Sequence, residues 1–396
     1  MSGRWRHEAP APQSAGTRGS HDPAPAPALP ERTLSMRTID VEHIEAIALG
    51  ASVYGTGGGG DPYVGKLIAM NMVRRHGPVR LVDVGTLADD ALVVPVALVG
   101  APTVAIEKFP STGQFIGALE AIEKYLGRKV SAVMCAEAGG LNSTIPFAVA
   151  SQVGLPLLDG DLMGRAFPEI QMTLATLHGI KATPMALCDD KGNSVVMDTV
   201  TNQYTERFVR SLATDMGGSA CTVLYPMTGA QARLATIPGS LTMLQRAGET
   251  LIAARRDKRD PVAALVELLG ARRLFEGKVI DVQRVTAAGW NRGTATIAGF
   301  HGEGHRRCQL RFQNEFLIAE VDGAAVATTP DLIALLDVET GEPVTAELLR
   351  YGLRVTLVGF PCHPQWRTPA GIDLAGPRYF GYDVDYSPID ATAKEA

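Results

Sequence analysis

"KVSAVMCAEAGGLNSTIPFAVASQVGLPLLDGD", residues 129–161, holds the alternation on which the fold reading turns. KVSAVMC is a short apolar run that reads as a strand; NSTIPF opens a helix, and LPLLDGD reads as a second short strand. Upstream, VRLVDV and LVVPVALVG read as strands, and the Ser-led STGQFIGALEAIEKYLG as a capped helix. Strands alternating with helices predict a mainly parallel sheet covered on both faces. Such a sheet binds ligands just outside the carboxyl ends of its strands, where Asp83, Glu137, Asp159 and Asp161 fall.

Before this alternation, IDVEHIEAIALGASVYG has helical spacing behind Asp40 and runs into the glycine-rich GTGGGGDP, residues 55–62. Asp61 can cap, and Pro62 can begin, a further helix, PYVGKLIAMNMVRRHG. Residues 193–256 read as mixed, with helices around TERFVRSLATDMGG and GSLTMLQRAGETLIAARR; DKRDPVAALVELLGARRLF looks like one more helix near a boundary. From Gly277 the pattern becomes strand-rich: GKVIDVQRV, GTATIAG, CQLRFQNEFLIAEVDG and LRVTLVGF. The expected architecture is a three-layer α/β domain over residues 37–274, then a smaller, mostly β, barrel-like domain over 275–390.

The first 36 residues are rich in Pro, Ala and Ser and predict a disordered tail without the apolar core of a secretory signal; Met36 offers an alternative start. In the 396-residue chain, 37 basic and 42 acidic residues give a net charge of -5, which argues against nucleic acid as partner. The apolar runs are too short to cross a membrane. Five scattered cysteines without a CxxC spacing fit a reducing compartment, so a cytoplasmic location is expected.

Gly55, Gly57 and Gly60 satisfy the dinucleotide fingerprint, and Asp83 follows at about the distance of a ribose-binding acid. The fingerprint needs a preceding strand, however, and the segment before it has helical periodicity. Three readings stay open: a substrate-contacting loop, a dinucleotide cradle and a plain turn. The first is preferred, because glycine lets a ligand approach backbone N–H groups at a helix N-terminus. Gly57, Gly58, Gly59, Gly60 and Asp61 are thus candidate substrate contacts, and no nucleotide is expected.

CAEAGGLNST puts Glu137, Asn142 and Ser143 around a Gly-Gly turn, either as site residues or as turn and cap formers. DGDLMGRAFPEIQM brings Asp159, Asp161, Arg165 and Glu169 close in sequence. Paired carboxylates can divide acid and base roles or share a divalent cation, and Arg165 can grip a substrate or hold Asp161 ionised. The alternative is an internal ion pair that fixes the turn. His178 is open between a helix-end residue and a site residue. HGEGH at 301–305 reads as a solvated hairpin tip, adjacent Cys362 and His363 point to opposite faces, and Ser219 lacks a nucleophile-elbow context.

Together, YGTGGGGDPYVG, AEAGGLNS, DGDLMGRAFPEIQM, FQNE and the ending GPRYFGYDVDYSP resemble the S-methyl-thiohydantoin desulfurase domain family, over approximately Ile39 to Pro388. That family is associated with hydantoinase and oxoprolinase proteins. The resemblance implies the same two-domain architecture and a hydrolase that converts a cyclic S-methylated thiohydantoin to a hydantoin and methanethiol. Two departures stand out: the family's Asp-Ala-Asp-Gly-Met appears as DGDLM, so that Leu162 narrows the expected pocket, and Ala138 replaces an expected Ile.

On this reading the backbone of Gly57 to Gly60 binds a ring carbonyl, Asp161 or Glu137 activates water, and Arg165 orients the substrate. Asn142 and Glu169 contact the ring. A divalent metal, zinc foremost, on Asp159, Asp161, His178 or Glu137 would serve the same chemistry. Two other classes stay open: a noncatalytic binding or regulatory subunit of a hydantoinase, and an NAD-dependent oxidoreductase. A homo-oligomer or a hydantoinase-type partner is expected beside the small cyclic substrate.

Overall fold

The computed structural model describes residues 36–100, 109–287 and 290–390. The expected tail, apart from Met36, lies outside the described residues.

The chain begins with β1 (Met36–Ile39), α1 (Val41–Tyr54), α2 (Pro62–His76), β2 (Val79–Val82) and β3 (Leu92–Gly100). Then come α3 (Thr112–Leu126), β4 (Ala132–Cys135), α4 (Ile145–Val153), β5 (Leu157–Leu158) and β6 (Gly160–Asp161). The helix starts follow local chemistry. Asp40 and His43 form a capping box on α1, and Asp61 Oδ1 accepts from Tyr63 N–H at 2.8 Å and Val64 N–H at 3.3 Å to cap α2.

The order continues with α5 (Leu174–Leu177), β7 (Met185–Cys188), β8 (Ser194–Met197), α6 (Asn202–Asp215), β9 (Ser219–Val223) and β10 (Met227–Thr228). Next are α7 (Gly229–Ala235), β11 (Ile237–Pro238), α8 (Ser240–Arg256) and α9 (Pro261–Leu269). The first sheet runs β1-β2-β5-β4-β3-β9-β7-β8, with β10 added on β3. Its β2-β5-β4-β3 block is parallel. The flanking pairs are antiparallel, so the sheet is mixed; β7 and β8 are joined by a tight turn rather than a crossover helix.

Side-chain alternation along β3 explains the three layers. Val94 and Val96 enter a core with Ile44 and Ile47 of α1, Phe115 of α3 and Phe147 of α4. Val93 and Ala97 enter the opposite core with Val209 of α6 and Ala232 of α7. A strand covered on both faces has no polar side, which is why LVVPVALVG reads as a continuous apolar run.

The second sheet comprises β12 (Arg272–Ala287), β13 (Trp290–Gly299), β14 (Arg307–Gln313), β15 (Glu315–Val321), β16 (Ala324–Thr328), β17 (Leu332–Asp337) and β18 (Arg354–Phe360). It is antiparallel, in the order β16-β15-β14-β13-β12-β18-β17. Register shifts in β12, β14 and β15 accompany its curl into a half-barrel. HGEGH forms the turn between β13 and β14, with residues 302–305 exposed.

Both sheets belong to one compact unit. A shared core joins Val53, Phe167 and Leu251 to Leu332, Phe360 and Trp366. The rings of Tyr54 and Phe360 meet edge to face at 5.3 Å, and the Trp366 indole N–H donates to the Met163 carbonyl at 2.7 Å.

Candidate active site

The chain leaves β4 through Ala136 and Glu137, at the carboxyl end of a strand in the parallel block. A tight Gly139-Gly140 turn follows, with Gly140 at φ 44°. Ser143 pins this turn: its Oγ accepts from Gly139 N–H at 2.7 Å and donates to the Glu137 carbonyl at 3.2 Å. Asn142 then fixes the Glu137 side chain. Its Oδ1 accepts from Leu98 N–H at 2.8 Å, and its Nδ2 donates to the Leu98 carbonyl at 3.2 Å and to Glu137 Oε1 at 2.7 Å. Thr144, not Asn142 or Ser143, is the N-cap of α4, so the Asn142 amide serves the carboxyl instead of the helix.

The glycine loop interlocks with this turn. Gly59 and Gly60 carbonyls accept from Asn142 N–H at 3.2 Å and Leu141 N–H at 3.3 Å. Gly59 has φ 83°, and a Cβ there would fall 2.5 Å from the Gly139 backbone. Only glycine fits two backbones this close. Among the described residues the N–H groups of Gly59 and Gly60 have no hydrogen-bond partner. Gly57 and Gly58 do different work: the Gly57 carbonyl accepts from Ala346 N–H at 2.9 Å, Gly57 lies against the Phe316 ring, and Gly58 lies against Glu315.

These pieces surround a cleft that is open to solvent at its mouth. Gly59, Gly60, Glu137 and Asn142 line it, with Met163, Phe167 and Ile170 as apolar surface, and Arg210 and Glu169 beside them. Ser219 also lines the cleft, from the start of β9. The second sheet contributes Asn314 and Glu315 at the β14–β15 corner. That corner is held by Asn314, at φ 58°, which exchanges two 2.8 Å bonds with the Asn291 backbone.

Two of the cleft glutamates are buried, Glu137 at 6% exposure and Glu315 at 3%. Burial pushes the Glu137 carboxyl up to about 7, opposed by the Asn142 amide, Phe167 N–H and Arg210. Burial, reinforced by the neighbouring Glu137, drives Glu315 well above the carboxylate range, with Arg165 opposing. Among the described residues Glu315 Oε2 has no hydrogen-bond partner. Arg210 is braced by Glu206 Oε1 at 2.5 Å and the Pro168 carbonyl at 2.8 Å, and its guanidinium lies 5.0 Å over the Trp290 ring.

Several sequence candidates take other roles. Asp161 is fully buried but does not line the cleft: its Oδ1 accepts from Met163 and Gly164 N–H, each at 2.6 Å, and so shapes the turn that carries Met163. Arg165 neither faces the cleft nor pairs with Asp161. All five of its donors are engaged: Nε with the Ala166 carbonyl at 3.0 Å, and the terminal nitrogens with the carbonyls of Pro330, Asp331 and Phe316 and the Thr56 hydroxyl at 2.7 to 3.3 Å. It is a staple between the two sheets. Asp61 is the α2 cap described above and does not line the cleft.

Glu169 does reach the cleft, with its Oε2 accepting from Tyr379 Oη at 2.7 Å and from Gln171 Nε2. The proposed metal ligands are not brought together. Asp159 accepts from the Thr242 N–H and hydroxyl at the start of α8, and His178 is exposed with its Nε2 3.1 Å from Gln365 Oε1. Among the described residues no three His, Cys, Asp or Glu side chains group to hold a metal ion. Asp83 accepts from Gly85 N–H at 2.8 Å in a short turn after β2, and the glycine loop follows helix α1 rather than a strand, unlike the dinucleotide fingerprint.

Sequence reasoning singled out Glu137, Asn142, Gly59, Gly60 and Glu169 at the cleft but missed Glu315. The FQNE motif was the available signal, since it sets a carboxyl directly after a tight corner in an apolar hairpin. No helix among the described residues is long and apolar enough to cross a membrane.

A crystal structure of a protein from Chromobacterium violaceum superposes with a TM-score of 0.73, at 23% identity, over 89% of this chain and 100% of that one. At that identity the likeness concerns the fold. No curated protein matches the chain. Two family models match end to end, the S-Me-THD-like N-terminal domain over residues 42–199 and the S-Me-THD-like C-terminal domain over residues 200–389. The first sheet crosses that boundary, since β9 lies beyond it. The chain belongs to the S-Me-THD-like family.

Proposed function

We propose that the chain is a hydrolase acting on a small S-methylated thiohydantoin ring, releasing methanethiol and leaving a hydantoin. The observation that carries this reading is Glu137: a buried carboxyl held by Asn142 in a cleft lined by both sheets, in a chain of the S-Me-THD-like family.

A carboxyl poised near neutrality suits a general base. Glu137 takes a proton from a water that attacks the ring carbon bearing sulfur. The Gly59 and Gly60 N–H groups, without partners among the described residues, are donors for a ring carbonyl. Met163, Phe167 and Ile170 offer an apolar, polarisable surface for the methylthio group. The chain's own groups supply the proton transfers.

A thiol-release assay on a panel of S-methyl-thiohydantoins, with hydantoins as ring-opening controls, tests the reading. Stoichiometric methanethiol and hydantoin support it. Saturable ligand binding with no product at long incubation would move the chain to the class of noncatalytic binding subunits.

A further inference from the structure

The cleft contains two buried carboxyls, each carried by a different sheet. Glu137 follows β4, whereas Glu315 begins β15. Glu315 is wedged against Gly58, where even a Cβ would lie 1.9 Å from its Oε1, and its Oε2 is buried with no hydrogen-bond partner among the described residues. The charged groups acting on it are Glu137 and Glu347, of like sign, and Arg165. Arg165 has all five donors committed elsewhere, so it forms no direct bond to Glu315. A carboxylate in this place would be a buried charge without a partner, a costly state that protonation removes.

Resting on the desulfurase reading, we propose that Glu315 is the acid partner of Glu137 and the proton donor to the ring nitrogen of the substrate. In the first step, water oxygen bonds to the sulfur-bearing carbon and the C=N π pair moves to nitrogen. Nitrogen takes the Glu315 proton, and Glu137 takes one proton of water. In the second step the C–S bond breaks, its electron pair leaves with sulfur, and the sulfur receives the Glu137 proton as methanethiol. The hydroxyl of the intermediate returns its proton to Glu315 as the C=O bond forms. The sum is substrate plus water giving hydantoin plus methanethiol, with both carboxyls restored.

The test compares wild type, E315Q and E315D in thiol release across pH, with thermal melts as the folding control. E315Q keeps the shape and the neutral charge of a protonated acid, so its melting point is expected to match or exceed that of wild type. Its kcat is expected to fall roughly 10²- to 10⁴-fold, the usual contribution of a positioned acid or base. KM stays within a few-fold, and the alkaline limb of the pH profile disappears. E315D retains an acid and is expected to keep more activity, with that limb displaced. If wild type is active and E315Q shows unchanged kcat and pH profile, Glu315 is not the donor while the desulfurase reading stands. If E315Q fails to fold, E315D decides: an unmoved alkaline limb overturns the proposal. Failure of the wild type on every thiohydantoin removes the underlying reading itself.

Discussion

The amide of Asn142 bridges the Leu98 backbone and the Glu137 carboxyl, accepting from Leu98 N–H at 2.8 Å while donating to Glu137 Oε1 at 2.7 Å. Neighbouring strands thereby fix the orientation of the proposed base: β3 holds the amide, and the amide holds the carboxyl that follows β4. Asn142 is a positioning residue for Glu137 as well as part of the cleft wall.

Asn142→Ala is expected to raise the Glu137 pKa further, because the lost hydrogen bond favours the ionised form. The acid limb of the pH–rate profile should move to higher pH, and kcat should fall by about 10²-fold, the scale of a 1 Å misplacement. A purely structural role would lower stability without moving the limb. A pH profile measured beside a thermal melt separates the two.

Glu137 also makes stability depend on pH. Its folded pKa, about 7, lies above the 4.5 of an ordinary glutamate, so between these values the folded state holds more protons than the unfolded one. Stability attributable to this group is therefore present at low pH and lost as pH rises from 4.5 through 7. E137Q removes the ionisation and should be more stable than wild type at pH 8, by an amount on the order of 3 kcal/mol. At pH 4 the two should melt together.

How much of this was legible in the sequence depends on the range of the interaction. Glu137 could be found because a carboxyl after an apolar strand is a local pattern, and the glycine loop because its backbone freedom is written in residue type. Glu315 could not be placed, since the meeting of the β14–β15 corner with Gly58 is a tertiary contact with no local periodicity. Asp161 and Arg165 misled for a related reason. Alternating carboxylates and a nearby arginine look alike whether they face a ligand, cap a turn or, as Arg165 does, tie carbonyls of two sheets together. The mixed sheet order was also hidden, because β9 and β7 pair antiparallel beside the parallel block through long-range contacts.

Arg165→Met should cost about 3–5 kcal/mol, since it leaves the carbonyls of Pro330, Asp331 and Phe316 in the interior with no donor. Chemical denaturation is the measurement. The activity that survives in the folded fraction should have an unchanged KM, because Arg165 does not line the cleft.

The glycine loop separates catalysis from folding at adjacent positions. The atoms nearest a Cβ at Gly58 are those of the Glu315 side chain, so Gly58→Ala should fold and lose thiol release by displacing that carboxyl. At Gly59 the φ of 83° and the Gly139 backbone 2.5 Å from the added Cβ make Gly59→Ala a folding defect, with strain of roughly 1–3 kcal/mol before the clash is counted. Melting curves and turnover on the two variants should give opposite patterns.

Methanethiol release from S-methyl-thiohydantoins by wild type, E137Q and D161N would be measured first. Turnover by wild type, its loss in a well-folded E137Q, and its retention in D161N, whose amide oxygen can still accept from Met163 and Gly164 N–H, are the expected results. Full thiol release by E137Q would contradict the role given to Glu137 and, with it, the chemistry assigned to this cleft.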